Sequence, residues 1–217
     1  MNERQRVRFP STGVGPQQLE GELWMPDANA PSACVVVAHP HPQRGGSMDN
    51  NVVLALCDGL AAAGIASLRF NFRGVGQSQG TYGRGIDEVS DVLGALRFIS
   101  EQQGISSGRV GLAGYSFGAR VSLAAAVETP LVHALLCVAP PLSEPLPADK
   151  TPSCPFLVLV GDHDHVAAAG LDAYASCLPD RNCLHVVPGP DHFWLGFEPV
   201  LADAAKRFFT EALPPIQ

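Results

Sequence analysis

Short, wholly apolar runs alternate along this chain with longer amphipathic ones. Ala33 to Ala38 is continuously apolar with three consecutive valines, the pattern of a strand buried on both faces. Ile65 to Phe70, Val110 to Ala113, Ala134 to Ala139, Phe156 to Val160 and Leu184 to Val187 are further strand-like runs. Helical spacing falls between them. Asn51 to Ala63 is stopped at Gly64, and Asp87 to Gln103 places Val89, Val92, Leu93, Leu96 and Ile99 on one stripe. Ala119 to Val127 and Pro199 to Ala212 also read as helices, and Asp172 to Cys177 as a weaker one. Strands alternating with helices predict right-handed β-α-β units, hence an α/β fold with a mostly parallel twisted sheet and helices on both faces. Leu19 to Met25 alternates apolar and polar. With Val7 to Phe9 it predicts an N-terminal antiparallel hairpin closed by the Gly/Pro-rich Ser11 to Pro16.

Two stretches break the alternation. Asn71 to Gly85 is a glycine-punctuated loop, and Pro140 to Pro155 holds six prolines in sixteen residues. The second cannot form a helical subdomain and is expected to be a short irregular crossover. No linker-like shift in composition and no repeat occurs, so one domain over residues 1–217 is expected.

Composition narrows the function. The chain is 46% hydrophobic and 16% charged with a net charge of −7, a balance that disfavours disorder and a nucleic-acid-binding face. Fourteen Lys and Arg are scattered without a run, so no polybasic membrane patch is expected, and no apolar run approaches the ~18 residues of a spanning helix. The polar start, Met1 to Arg6, lacks a signal-peptide core. The six cysteines form no C-x-x-C pair and mostly lie in apolar runs, as reduced core residues do. A cytoplasmic location is expected. Cys177 and Cys183 flank a turn and could approach each other, but nothing requires it.

Chemistry concentrates at Ser116. Gly114-Tyr115-Ser116-Phe117-Gly118 follows the strand Val110 to Ala113 and precedes the helix Ala119 to Val127. Strand, Gly-x-Ser-x-Gly, helix is the order of a nucleophile elbow, a turn so tight that side chains at the flanking glycines would collide with backbone. With 22 glycines the pentapeptide alone is weak evidence, and context must carry it. A serine nucleophile needs a base, usually His, and an acid behind that His. Loops after two later strands supply both: Gly161-Asp162-His163-Asp164-His165 and Pro188-Gly189-Pro190-Asp191-His192-Phe193-Trp194. Asp191 cannot easily turn back onto the adjacent imidazole and reads as a turn residue. Phe117 N–H, at the N-terminus of the following helix, is the first expected oxyanion donor.

Three further motifs occur in order: His39-Pro40-His41-Pro42, Gly45-Gly46-Ser47-Met48-Asp49-Asn50 and Leu68-Arg69-Phe70-Asn71-Phe72-Arg73-Gly74-Val75-Gly76. With the elbow, they make the chain resemble, from about Leu19 to Leu213, the α/β-hydrolases and particularly the small lidless serine hydrolases. The resemblance implies a catalytic set of Ser116, Asp164 and His192. Its Gly-x-x-Asp pattern selects Asp164 over Asp162, which would instead bond backbone in a turn. It also implies a second oxyanion donor after the strand Ala33 to Ala38, where many relatives carry His-Gly-x. Here His41 N–H takes that place, because both neighbouring prolines lack a donor. Arg73 and Ser78 are expected to tie down the loop beside the elbow. No cofactor and no metal is implied.

Arg44, Tyr115, Phe193 and Trp194 are the residues expected to touch substrate. The missing lid favours a shallow site for short acyl or small aryl esters, a small-molecule ester substrate with no nucleic-acid or membrane partner. Thioesters and peptides would use the same machinery. Two readings from other classes stay open. His39-x-His41 with Asp162 to His165 could begin a metal-hydrolase site, although Gln43 and Arg44 stand where the H-x-H-x-D-H pattern needs an acid and a His, and H-E-x-x-H is absent. A non-catalytic binding protein on a hydrolase fold is the other. Arg73 to Ser78 lacks the third glycine and the Gly-Lys-Ser/Thr of a nucleotide loop.

Overall fold

The computed structural model describes residues 4–27, 32–141, 152–168, 170–171 and 183–215. Its strands are β1 (Arg4–Pro10), β2 (Gln18–Trp24), β3 (Ser32–Ala38), β4 (Ala66–Phe70), β5 (Ile105–Tyr115), β6 (Ala134–Val138), β7 (Phe156–Gly161) and β8 (Leu184–Val187). The helices are α1 (Asn51–Ala62), α2 (Asp87–Ser100), α3 (Phe117–Glu128), α4 (His165–Ala168) and α5 (Glu198–Ala212). Among the described residues the strands form one sheet in the order β1-β2-β4-β3-β5-β6-β7-β8. The hairpin is antiparallel, and β2 pairs antiparallel with β4; every other pairing is parallel. The expected α/β architecture with an N-terminal hairpin is the observed one. The weak helix expected over Asp172 to Cys177, the possible approach of Cys177 to Cys183 and most of the proline-rich crossover lie outside the described residues. No helix among the described residues is long and apolar enough to cross a membrane.

The period of two along β3 explains the layering. Cys34, Val36 and Ala38 join the core under α2 and α3, while Ala33, Val35 and Val37 join the one under α1 and α5. All seven β3 residues are buried, which is why this strand shows no polar alternation. Val89, Val92, Leu96 and Ile99 of the α2 stripe are buried as the spacing predicts, and Leu93 packs partly against them. β5 is longer than its apolar run. It begins at Ile105, opposite Ser32, and the register shifts before Val110 pairs with Cys34.

The β4–α2 loop is fastened as expected. Ser78 Oγ donates to the Asn71 carbonyl at 2.7 Å and accepts the Glu20 N–H at 3.0 Å. Arg73 Nη2 donates to Asp91 Oδ1 and to Ser90 Oγ, each at 2.7 Å, while its backbone N–H reaches Asp91 Oδ2 at 3.0 Å. The Asp91 side chain has no exposed surface, so removing Arg73 would leave a buried carboxylate without its cation. Arg73→Ala is expected to lower unfolding free energy by about 3–5 kcal/mol. Urea titration measures it, and an unchanged midpoint would show that this ion pair does not hold the loop.

Candidate active site

The elbow has the sterics its glycines announced. A Cβ on Gly114 would sit 2.5 Å from the carbonyl carbon of Gly118, and one on Gly118 would sit 2.4 Å from the His39 oxygen. Both lie far inside contact distance, so the β5-to-α3 turn admits no side chain at either place. Ser116 itself is held at φ 52° and ψ −115°, a region that costs a non-glycine residue about 1–3 kcal/mol. Its N–H donates to Val138 O at 2.9 Å and its carbonyl accepts the Arg120 N–H at 3.1 Å, so β6 and the first turn of α3 pin it there.

Ser116 Oγ lies 3.0 Å from His192 Nε2, and His192 Nδ1 lies 2.9 Å from Asp164 Oδ2. The other Asp164 oxygen accepts the N–H groups of Val166 and Ala167, each at 2.9 Å, capping α4. Asp164 is fully buried, and burial pushes its acidity towards weaker acid. The His192 hydrogen bond, the nearby imidazole and the two backbone donors outweigh that burial and hold the carboxyl below its ordinary range. Asp162 does not occupy this place. It accepts the Gly189 N–H at 2.7 Å, fastening the β7 loop to the β8 loop rather than closing a local turn. Asp191 accepts the Phe193 N–H two residues on, the turn role its position predicts.

The loop that carries His192 is tied at three further points. Tyr115 Oη donates to the His192 carbonyl at 2.6 Å. Asn51 Nδ2 donates to the Phe193 carbonyl at 3.2 Å and to Glu198 Oε1 at 3.1 Å. Trp194 is the third anchor, and it corrects an expectation. Instead of facing substrate it is fully buried with the α1 and α5 side chains, at φ 58°. The chain doubles back after Phe193, driving the large apolar indole into the core and leaving Phe193 exposed at the cleft.

A cleft of about 680 Å³ opens over Ser116, a volume within the range of small-ligand sites. Arg44, Tyr115 and Phe193 line it with Ser116, Phe117, His192 and His41. Tyr115 is nearly buried, so its hydroxyl serves the His192 loop more than the cleft. Arg120, Asn50, Pro141 and Val166 also line it and were not foreseen. Arg120 was legible in principle, since it stands four residues, one helical turn, after the nucleophile position. Among the described residues, no group accepts the N–H of Phe117 or of His41. Both sit at the cleft beside Ser116.

His39 bears on the metal reading. Its Nδ1 lies 2.6 Å from the Pro40 carbonyl and its Nε2 accepts the Phe72 N–H at 3.1 Å. Both ring nitrogens are thus committed to backbone, and neither is presented to a cation shared with His41. Burial lowers its pKa from 6.5 to about 4, only partly countered by the Pro40 hydrogen bond. The unfolded chain therefore takes up a proton near 6.5 that the folded chain refuses until about 4. This stability is full above pH 6.5 and is lost as pH falls towards and through about 4. The loss is expected to reach about 3 kcal/mol for wild type and to flatten in His39→Gln. Unfolding titrations at pH 7, 5.5 and 4 measure it, and parallel profiles for the two proteins would refute it.

Comparison with known proteins bears on the family and the fold. Residues 15–145 match the family described as X-Pro dipeptidyl-peptidase (S15 family). An α/β serine hydrolase homologue from Coxiella burnetii superposes with a TM-score of 0.81 at 33% identity, over 95% of this chain and 97% of that one. A lidless α/β serine hydrolase from Xanthomonas campestris gives 0.84 at 28% identity, over 98% and 97%. An uncharacterised protein of Rickettsia prowazekii is 34% identical over 145 residues, and the match spans 65% of this chain and 60% of that protein's length. The chain belongs to the S15 family and has the lidless α/β serine hydrolase fold.

Proposed function

We propose that the protein is a carboxylesterase acting on short acyl or small aryl esters through Ser116, His192 and Asp164. One observation carries the reading: Oγ, imidazole and carboxylate stand in an unbroken hydrogen-bonded line at the floor of the cleft. His192 Nε2 takes the Ser116 proton as Oγ attacks the ester carbonyl. The carbonyl oxygen gathers negative charge, and the N–H groups of Phe117 and His41 receive it. His192 returns the proton to the departing alcohol, leaving an acyl group on Oγ. Water then enters, gives its proton to His192 and releases the acid, restoring Ser116. Asp164 orients the imidazole and steadies its cationic form throughout.

Peptide hydrolysis is the second reading, because the matching family is described by an X-Pro dipeptidyl-peptidase activity. The same groups would cleave an amide, so substrate alone separates the two. Reaction with a fluorophosphonate, followed by peptide mapping, tests the nucleophile. Modification is expected at Ser116 and nowhere in Ser116→Ala; an unmodified, folded wild type would refute a serine mechanism. Rates on p-nitrophenyl acetate and on a Gly-Pro p-nitroanilide then decide the bond. Faster turnover of the anilide would replace esterase by peptidase.

A further inference from the structure

We infer that the cleft selects esters bearing a second, anionic oxyacid group on a short arm, with Arg120 and Arg44 receiving that group. The inference rests on Ser116 being the nucleophile and names the substrate class of that site.

The protein as a whole is acidic, at −7, yet two guanidinium-bearing residues line the cleft over Ser116. Among the described residues neither is paired with a carboxylate. Asp164, the acid nearest the chemistry, is spent on His192 and on α4. Glu88, whose charge is felt at His41, is buried and spent on the N–H groups of Gly83 and Gly85, each at 2.7 Å. Two guanidinium groups thus line the cleft without a carboxylate partner among the described residues, an arrangement suited to an incoming anion.

Arg120 is also held in place. Its guanidinium carbon lies 5.6 Å over the Phe117 ring, and Nη2 donates to the Arg84 carbonyl at 3.4 Å. Arg84 is held at φ 61° to present that carbonyl. Gly85, at φ 80°, packs against the guanidinium, its missing Cβ lying next to Arg120 Nη2. The Arg120 side chain is exposed, and these contacts define where its guanidinium rests. Its Cα stands one turn of α3 from Ser116, about 5–6 Å. An anion there can belong to the same small ester whose carbonyl is at Oγ. Arg44 stands beyond His41 on the turn Pro42–Arg44, exposed and lining the same cleft. Both arginines, after burial, depress the His41 imidazole, so both charges lie near it. A planar guanidinium suits a carboxylate bidentately and a phosphate nearly as well.

The test separates this inference from the nucleophile assignment. Binding is read by NMR titration of Ser116→Ala, where no turnover occurs, with monomethyl glutarate, its phosphate-armed analogue methyl 3-phosphooxypropionate, and neutral methyl pentanoate. One or both anions are expected to bind about tenfold more tightly than the neutral ester at low ionic strength, with the advantage shrinking at high salt. The tighter anion identifies the oxyacid. Adding Arg120→Gln is expected to abolish most of the preference, and Arg120→Lys to restore part of it. In wild type the ratio of kcat/KM for anionic over neutral ester should fall in the same order, each variant's neutral rate serving as its control. No preference for either anion in the binding titration, or a preference that survives Arg120→Gln combined with Arg44→Gln, would overturn the subsite. Failure of fluorophosphonate to modify Ser116 would instead overturn the nucleophile assignment and leave the binding result to stand by itself.

Discussion

Ser116→Ala is expected to lower kcat by about 10⁴-fold or more on any ester the wild type hydrolyses. The magnitude follows from the geometry. The only described hydrogen bond of Oγ is the 3.0 Å contact to His192, and among the described residues no other hydroxyl lines the cleft except that of Tyr115, which is spent on a carbonyl. Removing Oγ leaves the oxyanion donors and the cleft, which by themselves retain only modest catalysis over water. Stability should change little, because the backbone strain at Ser116 is imposed by Gly114, Gly118 and the Val138 bond rather than by the side chain. Steady-state kinetics with a matched thermal melt measure both quantities. A variant that keeps its fold and more than about a tenth of wild-type activity would rule out the proposed mechanism.

Asp164→Asn is expected to cost nearly as much, about 10⁴-fold in kcat, with far less effect on the fold. An asparagine can keep its oxygen on the Val166 and Ala167 N–H groups and so preserve the cap of α4. Its amide would then turn towards His192 Nδ1, where a donor meets a nitrogen that must itself donate. The imidazole is pushed into the tautomer that cannot accept from Ser116, and the charge that steadies imidazolium is gone. Because the wild-type carboxyl is held below its ordinary range, it stays ionised through mild acid. Activity lost between pH 7 and 5 therefore does not come from protonation of Asp164. The carboxyl's contribution to stability is present above pH ~3.9, its unfolded value, and disappears only as pH falls through its lower folded value. Unfolding curves for the two proteins should thus converge only below about pH 4. Comparable kcat in Asp164→Asn would remove Asp164 from the acid role.

Much of this was written into local sequence. The elbow was legible because its pattern is local, two glycines flanking Ser116, although only the Gly114 Cβ would strike backbone within the turn and that of Gly118 would strike β3. β3 beyond Ser32, β6 and β7 were legible because, buried on both faces, they carry no polar residue to confuse their pattern. Choosing Asp164 over Asp162 took a family resemblance as well as residues, for the two differ by two positions and by nothing in composition. Trp194 misled because Phe193-Trp194 reads as an aromatic pair beside the base. Only a backbone reversal at φ 58° sends one ring to solvent and the other to the core. Arg120 stayed hidden for the opposite reason: an arginine on an exposed helix turn looks solvated until the Arg84–Gly85 bend is folded against it.

From its sequence alone this chain determined the strand and helix types, the strained serine and the order Ser, Asp, His, because these rest on period, steric exclusion and chain order. The tertiary structure decided which carboxylate faces the imidazole, which aromatic is buried and which arginines line the cleft. Those depend on loops after β3, β5, β7 and β8 meeting at one end of the sheet. Contacts between residues 28 to 77 positions apart leave no periodic trace in any one segment.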